Sequence, residues 1–160
     1  MKSRPDPDFD ATDLRILAVL QEDASLAVGD VAERAHLSAN ACWRRVKRLE
    51  ADGVIMRRVA LLDAARLGAG VTVFVTIRAA EHSDAWLARF AAVVARIPQI
   101  VEFYRMSGDI DYLLKIRVAD IAAYDEVYKR LIRGVRLSDV SSAFAMEELK
   151  NTTAIPLPAG

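Results

Sequence analysis

The sequence predicts an α+β protein of two domains, in which three short helices precede a βαββαβ unit. Two patterns lead to this prediction. The first third of the chain places apolar residues at helical spacing between good helix caps, and the rest alternates β-branched runs with two amphipathic helical segments. A glycine-containing segment, 63–70, separates the two patterns. We therefore expect domains at 1–62 and 63–160.

The N-terminal domain is predicted to contain a polar arm and three helices. The arm covers residues 1–9, the first helix begins near Asp10 or Thr12, and the second covers about 29–35. The residues at core-facing spacing in these two helices are Leu14, Leu17 or Ile16, Leu20, Val31 and Ala32. A tight turn at 36–37 precedes the third helix. Three short helices with such a turn before the last are typical of a helix-turn-helix.

The third helix is the most informative segment, because it is apolar on one side and basic on the other. Ser38 is a suitable N-cap and Gly53 a suitable stop. Three residues at i, i+4 and i+7 share the apolar face, namely Cys42, Val46 and Leu49. The side chains that project away from this face are Asn40, Ala41, Arg44, Lys47 and Arg48. A helix of this kind is suited to the major groove of DNA.

The charge distribution agrees with contact to phosphates. The chain has 22 basic and 22 acidic side chains, so its formal net charge is zero. Residues 34–58 nevertheless hold seven basic and two acidic side chains, whereas residues 1–33 hold three basic and eight acidic ones. A local excess of about five positive charges suits a phosphate backbone. A solvated helix face is the alternative interpretation.

The second domain is predicted from alternating strands and helices. A connecting strand at 54–62 precedes it. Strands are expected at 71–77, 100–106, 112–118 and about 138–149, and helices are expected to begin at Ser83 or Asp84 and at Asp120. Two helices on one face of a four-stranded antiparallel sheet form the ferredoxin-like arrangement. The strands hold more aromatic side chains than two helices on one face can bury, namely Phe74, Phe103, Tyr104 and Phe144. The other face of the sheet is therefore expected to meet another subunit.

Several classes of protein are not expected. A single cysteine, Cys42, rules out an internal disulfide and a cysteine-rich metal site, and His36 and His82 lack metal-ligand spacing. The chain has no nucleophile–base arrangement, Walker loop or GxGxxG, so neither an enzyme nor a cofactor is expected. The polar start shows no signal peptide, and the longest apolar run falls far short of the ~20 residues of a membrane span. We expect a cytoplasmic, nucleoid-associated protein with no membrane partner.

Motifs along nearly the whole chain resemble the Lrp/AsnC family of bacterial and archaeal regulators. They are Asp10…Asp13-Leu14…Ile16-Leu17, Leu37-Ser38, Arg45-Val-Lys-Arg-Leu-Glu50, Gly53-Val-Ile55, Ser107-Gly-Asp-Ile-Asp-Tyr-Leu-Leu114 and Met146-Glu-Glu-Leu-Lys150. Within the family the chain is most similar to DecR-type members, which respond to cysteine; matching stretches include Cys42-Trp43, His82-Ser83 and Ser142-Ala-Phe-Ala-Met-Glu147. The resemblance implies a transcription regulator that binds double-stranded DNA, responds to a small amino acid and forms homodimers that assemble to octamers. One departure is Ser38-Ala39-Asn40-Ala41, where the family commonly has Ser-Pro-Thr-Pro.

The candidate DNA-contacting residues lie on the third helix and just after it. They are Ser38, Asn40, Trp43, Arg44, Arg45, Lys47, Arg48, Arg57 and Arg58. Arg44 and Arg48 are expected to contact bases, because the guanidinium fork matches the guanine edge, and Asn40 can pair with adenine. The phosphate contacts are assigned to Ser38, Arg45, Arg57 and Arg58. Trp43 either contacts DNA or packs on the neighbouring helices.

The candidate effector site is the segment between two strands at 105–112. Its members are Met106, Gly108, Asp109 and Asp111, with Ser142 added by family position. Gly108 allows a carboxylate to approach the backbone, while Asp109 and Asp111 can take an α-ammonium group. The alternative is an ordinary hairpin turn whose aspartates bond locally. For the whole protein, the alternatives are an architectural DNA-binding protein without an effector and an amino-acid-binding metabolic module.

Overall fold

The computed structural model describes residues 9–158, and its contacts divide the chain into two compact units. The first unit comprises Met1–Ala60 with Lys150–Gly160, and the second comprises Leu61–Leu149. The C-terminal segment thus groups with the first unit, whereas the sequence had suggested the second. Its anchor is the Gln21 side-chain amide, which donates to the Ile155 carbonyl at 3.2 Å and accepts from the Ile155 N–H at 3.1 Å. The predicted polar arm, apart from Phe9, lies outside the described residues.

The first unit contains the three predicted helices. They are α1 (Ala11–Glu22), α2 (Val28–Arg34) and α3 (Ala39–Ala51). Their core is formed by Ile16, Leu20, Val31, Ala32, Ala35, Cys42, Val46 and Leu49. The apolar stripe of α1 runs through Asp13, Ile16 and Leu20, so a carboxylate occupies a core position at one end of it, and Leu14 is only half-buried.

The predicted connecting strand at 54–62 is wrong. These residues form no strand, and Met56, Val59, Leu61 and Leu62 are exposed. A strand is stable only when a neighbour pairs its backbone N–H and C=O groups. Within the described chain, no strand lies beside this segment to supply that pairing.

The second unit has the predicted βαββαβ order. Its elements are β1 (Val71–Ala79), α4 (Asp84–Ala95), β2 (Ile100–Arg105), β3 (Tyr112–Val118), α5 (Ile121–Gly134) and β4 (Leu137–Phe144). The strands pair antiparallel in the order β2-β3-β1-β4. Ser83 and Asp120 cap the two helices, as the sequence indicated. β4 is shorter than predicted and ends at Phe144, opposite Val73 near the start of β1.

Both helices cover the same face of the sheet. The core under them is built on Val73, Val75, Ile77, Leu114 and Ile116. Of the four aromatic residues predicted to exceed the helical cover, only Phe74 and Tyr104 lie on the open face, where they are 38% and 49% exposed. Phe103 packs edge-on against Phe90 of α4, with ring centroids 5.3 Å apart, and Phe144 packs against Tyr124 of α5, with ring centroids 5.2 Å apart.

None of the helices in residues 9–158 combines the length and the apolar character needed to cross a bilayer. In the same stretch, no three His, Cys, Asp or Glu side chains gather as a metal site would require.

Candidate DNA interface and effector loop

The solvent face of α3 is fixed by the burial of its opposite face. Cys42, Val46 and Leu49 are buried, so Asn40, Arg44 and Lys47, at i, i+4 and i+7, point to solvent. The helix begins without prolines, and the Ser38 hydroxyl caps it by accepting from the Ala41 N–H at 3.3 Å. These exposed side chains can therefore meet the edges of bases in a groove.

A buried carboxylate holds two of the predicted DNA-contacting arginines. The Asp13 side chain is 1% exposed and accepts from Arg45 at 2.9 Å and from Arg48. Arg48 was predicted to contact a base, but the structure ties it to α1. Half of its side chain is still exposed, at 48%. The sequence contained a signal for this role, because an aspartate continues the apolar stripe of α1.

The same pair of helices is joined by Asp10. Its carboxylate caps α1 by accepting from the Thr12 and Asp13 N–H groups at 2.9 and 2.8 Å, while Asp13 accepts in return from the Asp10 N–H at 3.3 Å. The second oxygen of Asp10 pairs with Arg45 at 2.7 Å. The hydrogen bond from the Asp13 N–H, followed by that from Arg45, lowers the pKa of Asp10. The hydrogen bonds that Arg45 donates to Asp13 and to Asp10 raise the pKa of Arg45.

A second carboxylate, Glu50, pairs with two further predicted cations. It accepts from Lys47 at 2.8 Å and from Arg58 at 3.3 Å, and the hydrogen bond from Lys47 lowers the pKa of Glu50. Among the predicted DNA-contacting cations, Arg44 and Arg57 are the two that form no ion pair within residues 9–158. These two are the most available for a phosphate or a base.

Trp43 lies at a groove on the surface of the first unit. It is 53% exposed and lines a groove of about 350 Å³ with Leu20, Val28 and Val46. About half of the Trp43 side chain is therefore available to a partner.

Cys42 is a core residue of this unit. Its side chain is fully buried, and burial raises the pKa of its thiol. A thiol held in its protonated form reacts slowly, so the surroundings of Cys42 do not favour redox chemistry.

The predicted effector segment, 105–112, contains the loop at 106–111 that joins β2 to β3. Met106 and Asp109 are exposed, and Gly108 has φ +111°, a conformation that other residues rarely adopt. A Cβ at Gly108 would meet nothing within 4 Å, so the backbone there is open to a small ligand. The Met106 N–H donates to the Asp111 carbonyl at 2.8 Å and closes the loop.

Asp111 is engaged within its own subunit. One carboxylate oxygen accepts from the Ala79 N–H at 2.8 Å, and the other lies 2.8 Å from Nε2 of His82. The hydrogen bond from Ala79, followed by that from His82, lowers the pKa of Asp111. Asp111 thus fixes the loop to the end of β1, whereas the Asp109 carboxylate forms no such bond to any of residues 9–158. His82, interpreted from the sequence as an ordinary surface residue, is a partner of this loop.

Ser142 is not brought to the loop within one chain. It pairs with Val75, whereas Tyr112 at the end of the loop pairs with Ile77 on the other side of β1. Two strand spacings of about 4.8 Å put Ser142 at least about 10 Å from the loop. The Ser142 hydroxyl shares a hydrogen bond with the Tyr124 hydroxyl. Burial of the Tyr124 side chain raises the pKa of Tyr124.

Two family models match the two parts of the chain. A winged helix-turn-helix DNA-binding domain matches residues 9–56, and the Lrp/AsnC ligand binding domain matches residues 72–155. The glutamate uptake regulatory protein of Zymomonas mobilis is 55% identical over 150 residues, which cover 94% of this chain and 92% of that protein. The DNA-binding transcriptional activator DecR of Escherichia coli is 47% identical over 150 residues, covering 93% and 99%.

Two solved structures match this chain over most of its length. An AsnC family transcriptional regulator from Agrobacterium tumefaciens is 57% identical, with a TM-score of 0.89, and the match covers 92% of this chain and 97% of that one. The transcriptional regulator NMB0573 of Neisseria meningitidis, solved with L-Met, is 34% identical, with a TM-score of 0.88 and coverage of 92% and 96%. With its capped DNA-binding helix and its ligand-binding α+β unit, this chain belongs to the Lrp/AsnC family of transcriptional regulators.

Proposed function

We propose that this protein regulates transcription by binding double-stranded DNA through α3, and that a small amino acid bound at the 106–111 loop changes this binding. The observation that carries the proposal is the exposed stripe of Asn40, Arg44 and Lys47 on a helix whose other face is buried. Such a helix presents amide and guanidinium groups to base edges. Cysteine is the first candidate effector because of the resemblance to DecR-type members.

The structure favours a division of roles among the basic residues. Arg44, unpaired within residues 9–158, reads a base, and Arg57 contacts a phosphate. Arg45 and Arg48 orient α3 through Asp13, and reach phosphates only by leaving that carboxylate. Lys47 and Arg58 exchange Glu50 for phosphates in the same way.

The effector is proposed to bind with its carboxylate at the backbone around Gly108 and its ammonium group at Asp109. Met106 lines the side-chain pocket. Asp111 keeps the loop in shape, because both of its oxygens are already bonded to Ala79 and His82. Ser142 joins such a site only from a neighbouring subunit, since it lies too far from the loop of its own chain.

The open sheet face is proposed as the homodimer interface, and the dimers as the units of an octamer. This face exposes Phe74 and Tyr104 around the Glu102–Lys115 ion pair, whose nitrogen and oxygen are 3.0 Å apart. A two-fold contact uses the same patch on both subunits and spaces two α3 helices for a two-fold operator.

The test of DNA recognition compares Arg44→Ala with Arg57→Ala on the protein's own upstream DNA and on scrambled DNA. Arg44→Ala should reduce the preference for the matched site by about 1–3 kcal/mol, whereas Arg57→Ala should weaken both sequences equally. Glu22→Gln, which changes an exposed residue at the C-terminal end of α1, is the control. Equal losses on both DNAs for Arg44→Ala and Arg57→Ala would contradict the assignment of Arg44.

The test of the effector is a thermal-shift panel of the twenty amino acids, read together with a gel shift on the same DNA. A response to cysteine that Asp109→Asn abolishes and Asp125→Asn retains would support the proposed site. Relatives named for glutamate uptake and solved with L-Met make the full panel necessary. If no amino acid changes stability, oligomer size or DNA binding, an architectural protein without an effector is the better description.

A further inference from the structure

The two helices of the second unit approach each other closely and run antiparallel. The Trp86 indole N–H donates to the Arg136 carbonyl at 3.0 Å, and the Arg130 guanidinium donates to the Arg96 carbonyl at 2.7 Å. Between these contacts, a Cβ at Gly134 would lie only 2.5 Å from Cγ2 of Val93. The chain from residue 86 to residue 96 therefore lies beside the chain from residue 136 back to residue 130.

This contact zone is lined by arginines. Arg89 and Arg96 lie four residues before and three residues after Val93, so they share its side of α4. The whole set, which we name the arginine seam, is Arg89, Arg96, Arg130, Arg133 and Arg136, and all five are exposed. Arg89 and Arg136 also line an open cleft of about 620 Å³, which contains one carboxylate, Glu81.

The charge of the arginine seam is not balanced locally. Across residues 9–158, no carboxylate forms an ion pair with any of its five members. The nearby acids of α5 are already used, because Lys129 pairs with Asp125 at 2.5 Å and with Glu126 at 3.0 Å. Glu81 accepts from the Ser83 hydroxyl. Five exposed guanidinium groups are therefore left together in a chain of zero net charge.

We propose that the arginine seam is a second DNA-contacting surface, which holds phosphates of DNA beyond the segment read by α3. It rests on the proposed function. From Arg89 to Arg96 the stripe extends about 10 Å along α4, which is enough to span neighbouring phosphates of one strand. A guanidinium fork binds phosphate oxygens in pairs. A two-fold contact between copies is disfavoured here, since it would set the same five cations against each other.

The experiment uses the full-length protein with Arg89→Gln/Arg133→Gln. The control, Arg66→Gln/Lys150→Gln, makes the same change in charge at exposed residues outside the seam. Both are titrated at several salt concentrations against a short operator duplex and a duplex of about 150 bp that contains it. Each phosphate contact contributes about 0.9 to the slope of log K against log salt. The seam variant should therefore lose about 1–2 units of slope and bind about tenfold or more weakly on the long duplex. On the short duplex it should match the wild type, as the control should on both.

Two results would overturn the inference. One is a seam variant with the same slope as the control on the long duplex. The other is a seam variant that changes the sedimentation coefficient without changing DNA affinity, which would make the seam an interface between copies. If Arg44→Ala weakens binding to the long duplex and the seam variant does not, that result would leave the proposed function intact and would contradict only this inference. Circular dichroism melts of each variant verify folding, and Arg96→Gln/Arg136→Gln repeats the test at different positions.

Discussion

Replacing the buried carboxylate between α1 and α3 should destabilise the DNA-binding unit. Asp13→Ala removes the partner of Arg45 at 2.9 Å, a partner of Arg48, and the acceptor of the Asp10 N–H at 3.3 Å. Losing the hydrogen bond from the Asp10 N–H, which is one half of the capping box, costs about 0.5–1 kcal/mol. Losing a charged hydrogen bond costs about 1.5 kcal/mol in a buried site.

The exposure of the two arginines limits how much stability Asp13→Ala can remove. Arg48 is 48% exposed and can turn to water, so its ion pair contributes under about 1 kcal/mol. Arg45 is 30% exposed and retains Asp10 at 2.7 Å, so it is not left without a partner. The free energy of unfolding should therefore fall by about 2–3 kcal/mol, below the ~3–5 kcal/mol seen when a fully buried pair is broken.

The measurement is urea unfolding in a Trp86→Phe background, in which Trp43 is the single indole and reports on the first unit. Glu22→Gln removes an exposed carboxylate from the same helix and should change stability by less than about 0.5 kcal/mol. In a double-mutant cycle, Asp13→Ala should couple with Arg45→Met and not with Arg44→Met. Asp13→Ala with the same midpoint as Glu22→Gln would refute the anchoring role of this carboxylate.

Three further predictions concern the effector loop, the helix pair and the core thiol. The lowered pKa of Asp111 stabilises the fold above about pH 3.9, its unfolded value, and this stability is lost as pH falls through the folded pKa. The melting temperatures of Asp111→Asn and wild type should therefore differ at pH 6, and the difference should narrow as the pH falls below about 3.9; a constant gap would contradict this. Gly134→Ala should cost about 1–3 kcal/mol by overpacking against stiff Val93, and Val93→Ala should partly restore it; an unchanged midpoint would argue against the close approach. The Cys42 thiol should react with a disulfide reagent only at the rate of unfolding, and fast reaction in the native protein would show that it is accessible.

The elements that could be predicted from the sequence are those whose signals are local. Ser38, Ser83 and Asp120 each cap the helix that follows, and the spacing of Cys42 and Val46 gave the buried face of α3. A cap or a helical stripe depends on residues within about one or two turns, so a window of sequence contains all the information required.

What could not be predicted depends on residues far apart in the chain. The segment 54–62 has the composition of a strand but lacks a neighbour, and β4 ends at Phe144 because β1 offers little chain beyond Val73 to pair with it. The Asp13–Arg48 ion pair joins residues 35 apart, and the His82–Asp111 pair joins residues 29 apart. A basic residue on a helix gives no sign of whether its charge is already used.

The return of the C-terminal segment to α1 makes the second unit an insertion within the first. Because residues 150–158 follow the ligand-binding unit in the chain, the hydrogen bonds between Gln21 and Ile155 form only after that unit has been synthesised. A folded insert that holds its two ends in place also lowers the entropy cost of closing so long a loop. Completion of the DNA-binding unit is thereby linked to the synthesis and folding of the unit that would sense the effector.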